Sequence, residues 1–357
     1  MIRNMLRRRP IQLLLLGAII FIIASAVPPN IINTMRPLKP GQSLTFTTER
    51  SETHSLAASH ASDAVPEPNR DLPECAGPIS FATPLRCFTI VAPSQQIIAV
   101  TTSETEESGA VSVESVSQIV IAGTVMAEIR NVAVVDALSV LPLPTPSAQM
   151  AISIPALSSG MATDPFIRDG MYLFFPFPTE QVSYPLFDTS LVDSVLVDFA
   201  GEDQVDGLDA FVFHHRVEGQ ALERSGANSI AMDSTIDGSL DFLSSTGFGD
   251  PYYAVDRTLW VEPETGTILD QHEEIHLYFA SDDAEGSERA FEASPDHSIF
   301  HTNYAWDAET RAQQHDIAAS QLSTLRWLQV FAVTLKAVAL ICVLIGVALL
   351  IRERRKA

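Results

Sequence analysis

The sequence predicts an α+β protein: an antiparallel, β-rich extracytoplasmic domain between N- and C-terminal transmembrane helices, with a helical stalk leading into the second span. Three observations predict it. Apolar runs occupy both ends of the 357-residue chain, each beside a basic cluster. Between them lie short runs of β-branched and aromatic residues, separated by stretches rich in Pro, Gly and Ser. Acidic residues are concentrated in that middle.

The first run, Ile11 to Val27, comes after Arg3, Arg7, Arg8 and Arg9 and is just long enough to cross a bilayer core. Pro28 and Pro29 are expected to end its helix. Ala24-Ser25-Ala26 also places small residues where a signal peptidase cuts, so the run is either a retained span or a cleaved signal. In both cases the middle of the chain is exported.

Strand character appears at Ser43–Thr48, Cys87–Ala92, Gln96–Thr102, Gln118–Val125, Asn131–Val140, Val195–Ala200, Asp209–Val217 and Thr258–Glu262. These strands read as short. The plainest local unit is a β-hairpin from Arg257 to Phe279, turning at Pro263-Glu264-Thr265-Gly266. Glu49–Pro73, Leu141–Asp164 and Gly219–Gly249 read as loops. Cys75 and Cys87 can close a small loop outside the cytoplasm, which the chain-entropy relation values at roughly 3 kcal/mol.

Asp307 is placed to cap a helix that runs without a breaker into the second span, Leu328 to Ile351. Lys336 lies near the outer end of that span, where a long side chain can snorkel to the interface. Arg352, Arg354, Arg355 and Lys356 come directly after it, and basic flanks stay inside. The expected division is a cytoplasmic tail at 1–10, a span at 11–27, a β-rich domain at 28–306, a stalk at 307–327, a span at 328–351 and a cytoplasmic tail at 352–357. Both termini then face the cytoplasm, and the lipid bilayer is the first partner.

Between the tails, leaving out Lys336, 13 basic residues stand against 43 acidic ones, a formal charge near −30. Such a field repels nucleic acid, which excludes it as a partner.

His272-Glu273-Glu274-Ile275-His276 matches the zinc-protease pattern, but that chemistry needs a helix to stack both imidazoles on one face. After a hairpin turn the motif reads as strand, which sets the histidines roughly 13 Å apart and turns Glu273 to the opposite face. His214-His215 on a strand likewise diverge, and Asp282, Asp283 and Glu285 lack the spacing of a calcium loop. No enzyme, metal or cofactor is expected.

Two segments carry a resemblance: Gly170–Glu180 (GMYLFFPFPTE) continuing to Tyr184–Asp188, and Val205–Phe211 with, further on, Arg257–Gly266 (RTLWVEPETG). With a membrane segment at each end, the chain resembles the actinobacterial envelope family called Porin PorA; the stretch from Glu49 to Glu107 departs from the compact form expected of it. The resemblance implies an envelope protein of bacteria with a mycolic-acid outer layer, and its name implies pore formation. The hairpin is also similar to those of periplasmic lipoprotein carriers, whose curved sheets hold acyl chains. Phe174, Phe175, Phe177, Tyr184 and Phe187 are then either core or an apolar groove for envelope lipid. Two functions are expected on these grounds. One is binding or handing over lipid, alone or beside a membrane lipid transporter; the other is forming, or associating with, a channel.

Overall fold

In the computed structural model, residues 9–34, 38–57, 64–80, 82–154, 159–222 and 248–355 are described. The chain divides into two compact units, one of Met1–Arg36 with Ile317–Ala357 and one of Pro37–Asp316.

The first unit is a pair of helices, α1 (Arg9–Thr34) and the greater part of the last helix of the chain. α1 continues through Pro28 and Pro29 rather than ending at them. Proline deletes a helical hydrogen bond but keeps a helical φ, so a helix with other support can run across it.

The second unit is a sheet. Its strands are β1 (Ser43–Thr47), β2 (Ser51–Leu56), β3 (Thr89–Ser103), β4 (Ala110–Ile121), β5 (Thr124–Asp136), β6 (Gln149–Ile154) and β7 (Ser159–Ala162). They are succeeded by β8 (Tyr184–Asp188), β9 (Asp193–Val205), β10 (Leu208–Ala221), β11 (Asp250–Val261) and β12 (Ile268–Ala280). A short helix α2 (Asp283–Arg289), strand β13 (Ser298–Ala305) and helix α3 (Ala308–Arg354) complete the chain. The order is β7-β6-β5-β4-β3-β2-β13-β12-β11-β10-β9-β8, with β1 beside β3. Two antiparallel meanders, β2 to β7 and β8 to β13, therefore meet at one seam. That seam pairs Phe300 with Ser55 and His301 with His54, and extends to the Thr48–Trp306 bridge and the Glu49 amide on the Ala305 carbonyl (2.8 Å).

The sheet curls. Ile98 and Val100 on β3 share one buried cluster with Leu259 and Val261 on β11, although β2, β13 and β12 stand between them in the sheet. A flat sheet could not bring those side chains together, so this face is concave. The segment after β7 lies within it, with Met171 and Phe175 fully buried in the same cluster.

The strands are longer than the sequence suggests: β3, β4, β5 and β9 to β12 run 12 to 15 residues. Apolar runs stop at Ser, Thr and Gln, whereas backbone pairing does not. For the same reason β2 lies within Glu49–Pro73, and β6 and β7 within Leu141–Asp164. Gly219–Gly249 falls mostly outside the described residues.

The hairpin of β11 and β12 turns on Glu262, whose carboxylate accepts from the amides of Thr265 (2.7 Å) and Glu264 (3.2 Å). Gly266 has φ +65°, and a Cβ there would lie 2.5 Å from the Phe175 carbonyl oxygen. The turn thus needs glycine twice over. At the start of α3, Asp307 Oδ1 accepts from the Thr310 amide at 2.7 Å. The Thr310 hydroxyl in turn accepts from the Thr47 amide at 2.9 Å, tying the first turn of the helix to β1.

Candidate functional site

Strand register sorts the concave face into three tiers. One apolar tier holds Val111, Val113, Ala133 and Val135 from one meander, and Phe213, Leu259 and Val261 from the other. Beyond it comes a polar tier: Asn131 opposite Ser115 on one side, His215 opposite Arg257, then Glu273 and Tyr304 on the other. The third tier is again apolar. Here Ile121 and Phe300 are buried against Tyr304 of the polar tier, while Ile119, Met126, Ala92, Ile275 and Leu277 remain half-buried around them.

The polar tier is a site by density of charge. Arg257 lies between two carboxylates: its Nε donates to Glu273 Oε1 at 2.7 Å, and Nη2 reaches Asp188 Oδ2 at 3.3 Å. Both carboxylates are almost wholly buried. Tyr253 donates its hydroxyl to the same Asp188 oxygen at 2.9 Å. Burial opposes the charge on Arg257, yet the facing Glu273 and Asp188 carboxylates more than offset it and raise its pKa. Burial also pushes the Tyr253 hydroxyl well up, and His215 down.

Arg168 differs. It is 6% exposed, reaches Asn131 Oδ1 with Nη1 at 3.3 Å, and lies 5.2 Å from the Phe187 ring centroid. Its Nε, the Asn131 Nδ2 and the Arg257 Nη1 are buried without a hydrogen-bond partner. Burial lowers the Arg168 pKa to about 10.

Of the aromatic residues singled out by sequence, Phe175 and Tyr184 pack together with Phe213 in the first apolar tier, ring centroids 4.9 to 5.7 Å apart. Phe174 packs half-buried against the same cluster. Phe187 belongs to a separate cluster with Met150 and Val192, and half-buried Phe177 belongs to neither. Cys75 and Cys87 are joined by a disulfide and cluster with Phe88. His272 through His276 lie on β12, with Glu273 facing inward to Arg257. His276 is fully buried, accepting or donating at both nitrogens (Ala290 carbonyl 3.0 Å, Ser298 hydroxyl 2.9 Å). Sequence reading missed Arg168, Asn131, Asp188 and Arg257 as a group. One signal was present: Arg257 sits in phase with Val255, Leu259 and Val261, a charge in an apolar alternation.

The outer face of the same sheet carries ion pairs on β4, β5, β10 and β11, beside half-buried Val116 and Val132 and a cluster of Tyr252, Ala254 and Tyr278 with Ala290. Arg130 pairs with Glu114 at 2.6 Å, Gln118 donates to Glu128 at 2.8 Å, and Arg216 pairs with Asp256. Charged pairs at these positions are costly against hydrocarbon.

In the helical unit, α1 and α3 pack antiparallel. A Cβ on Gly17 would lie 2.9 Å from the Ala339 carbonyl oxygen, and one on Gly346 3.0 Å from Leu14. Gly17 and Ala24, like Ala339 and Gly346, are buried and seven residues apart, a spacing of two turns that keeps small residues on one stripe.

The sequence profile of one family, Porin PorA, matches residues 10–348, nearly the whole chain and both terminal helices. The chain belongs to the Porin PorA family. A Porin PorA of Corynebacterium resistens is 26% identical, the match covering 96% of each chain. A Porin PorA of Corynebacterium amycolatum is 24% identical over 86% of this chain and 88% of its own. Membership in the Porin PorA family, with two terminal helices long and apolar enough to cross a bilayer, makes this a membrane protein of the cell envelope.

Proposed function

We propose that the chain is a non-enzymatic, pore-forming or channel-associated envelope protein whose membrane part is helical. The observation that carries this reading is the pairing of two apolar terminal helices in a Porin PorA family member whose sheet carries ion pairs on its outer face. Residues 11–27 and 328–351 would cross the membrane, with 1–10 and 352–357 in the cytoplasm and the acidic domain outside, as the basic flanks favour. The Cys75–Cys87 disulfide supports an oxidising compartment for that domain. Two helices enclose no channel, so a pore would gather helices from several copies. Lys336, exposed on α3, is then the charge nearest the path. Purified full-length chain in planar bilayers should give discrete conductance steps, with anion preference reduced in Lys336→Glu. Silent bilayers at high protein loading would remove the pore reading.

A second reading is lipid binding in the sheet domain. It is favoured by the half-buried apolar tier of Ile119, Met126, Ile275 and Leu277, which offers acyl-chain contact on a concave surface. Native mass spectrometry of full-length protein should then show bound lipid that persists through detergent exchange, and a uniformly lipid-free protein would count against it.

A further inference from the structure

The unpartnered donors of the polar tier give the second reading, on which this inference rests, a specific ligand class. We propose that the concave face binds a single-chain anionic amphiphile, with its carboxylate at Arg168 and Asn131 and its alkyl chain along the second apolar tier.

The argument begins with Arg168. Among the described residues it is the buried cation of the interior that makes no carboxylate contact: Arg257 has taken both Asp188 and Glu273. Leaving a guanidinium Nε and an amide Nδ2 buried and unpaired is costly, and such groups in native interiors commonly mark a missing partner. An acceptor bearing one negative charge would satisfy both donors at once. A planar carboxylate suits the guanidinium fork better than a bulkier, doubly charged head.

The surroundings of Arg168 set the rest of the ligand. On β5, two residues along the same face from Asn131, stands Ile129, half-buried with Ile152 beside Met150 and Phe187. From there the apolar surface continues to Ile119 and Met126, and across the concavity to Ile275 and Leu277. A charged head therefore meets the polar tier while its chain runs along aliphatic side chains, where each buried methylene adds affinity. Neither a small anion nor an uncharged lipid would use both features.

Arg168 is carried by irregular chain rather than by a strand. Between Thr163 and Thr179 the backbone is anchored at intervals: Thr163 on Met150, Phe166 paired with Ala148, Met171 bonded to Pro185 and Phe187, Phe175 on Gly266 and Thr179 on Pro263. The orphan donors are shut from solvent, so entry of the head requires the short stretch 167–170 to shift outward between the Phe166 and Met171 anchors, which stay bonded.

The test uses the full chain in lipid nanodiscs and a palmitate bearing a diazirine near its methyl end. After irradiation, labelled peptides should come from β4 to β6 and from β12. Oleate should block labelling at least about tenfold more effectively than oleyl alcohol, which has the same chain without charge, and acetate should not block it. In Arg168→Gln that advantage of oleate over the alcohol should vanish. Because the competition is run first on unaltered protein, a misfolded variant does not spare the idea. Equal blocking by acid and alcohol would overturn the carboxylate site and leave lipid binding standing. Labels confined to the terminal helices would overturn both.

Discussion

Arg257, Asp188 and Glu273 show what a buried ion cluster implies at the level of single side chains. Each carboxylate has lost nearly all its water, and the guanidinium is the compensating group for both. Removing one member of such a set costs about 3–5 kcal/mol, because the survivors remain charged and dry. Arg257→Met should therefore destabilise the domain by that order at pH 7. Denaturant melts of both proteins at pH 7 check this; equal stabilities would contradict it. His276 makes the opposite point. Burial lowers its pKa to about 3, against 6.5 in an unfolded chain. Below pH 6.5 the unfolded state takes up a proton that the folded one refuses, so stability present above pH 6.5 is lost progressively toward pH 3. His54 and His215, also lowered by burial, act in the same direction. Thermal melts from pH 7 to pH 4 should fall more steeply for the unaltered protein than for His276→Gln, whose amide can still donate to the Ala290 carbonyl.

At the scale of elements, the helix pair rests on close approach. Gly17 and Gly346 let backbones meet where any side chain would intrude, and in lipid such packing replaces the hydrophobic effect as the source of association. The geometry predicts a cross-link. An ideal Cβ at position 17 lies 3.3 Å from the Cβ of Cys342, the free cysteine among the described residues, close to the separation a disulfide spans. Gly17→Cys should form an intramolecular bridge to Cys342 under mild oxidation, seen as two linked fragments after cleavage within the sheet domain. Because the new Cβ also presses on the Ala339 carbonyl, bridging requires the helices to part slightly, and fragments that separate without reductant even under strong oxidation would count against the antiparallel pairing.

At the scale of the molecule, the sheet is two meanders joined at a seam where β2 pairs with β13, Thr48 bridges Trp306 and Glu49 bonds Ala305, and other contacts reinforce it. The shared first apolar tier is one bridge, and the polar tier, with Asp188 of β8 against Arg257 of β11, binds strands within the second meander. The long connection from β2 to β3, beside the seam, is clasped by the Cys75–Cys87 disulfide, 12 residues apart. Its loop-closure value is about 3 kcal/mol. Replacing both cysteines by serine should lower the melting temperature by about 4–6 °C for a domain of this size, as read by calorimetry. No change would mean that the cluster of Phe88, Leu56 and Ile79 holds the connection unaided.

Much of this was legible in the residues alone. Long apolar runs with basic flanks specify helices whatever surrounds them, because length and hydropathy are local properties. The β11–β12 hairpin was equally plain, since Pro263 and Gly266 encode the turn within ten residues. Period-two alternation also decided that the histidines of His272–His276 share a face and that Glu273 does not. Tertiary structure alone decided the pairing of β2 with β13, residues some 250 positions apart, and the curl that stacks Arg168, Asn131 and Arg257 into one polar tier. Those features depend on which strand lies beside which. Pairing is made by backbone groups that every residue carries alike, so the order of strands leaves little mark on the side chains that spell the sequence.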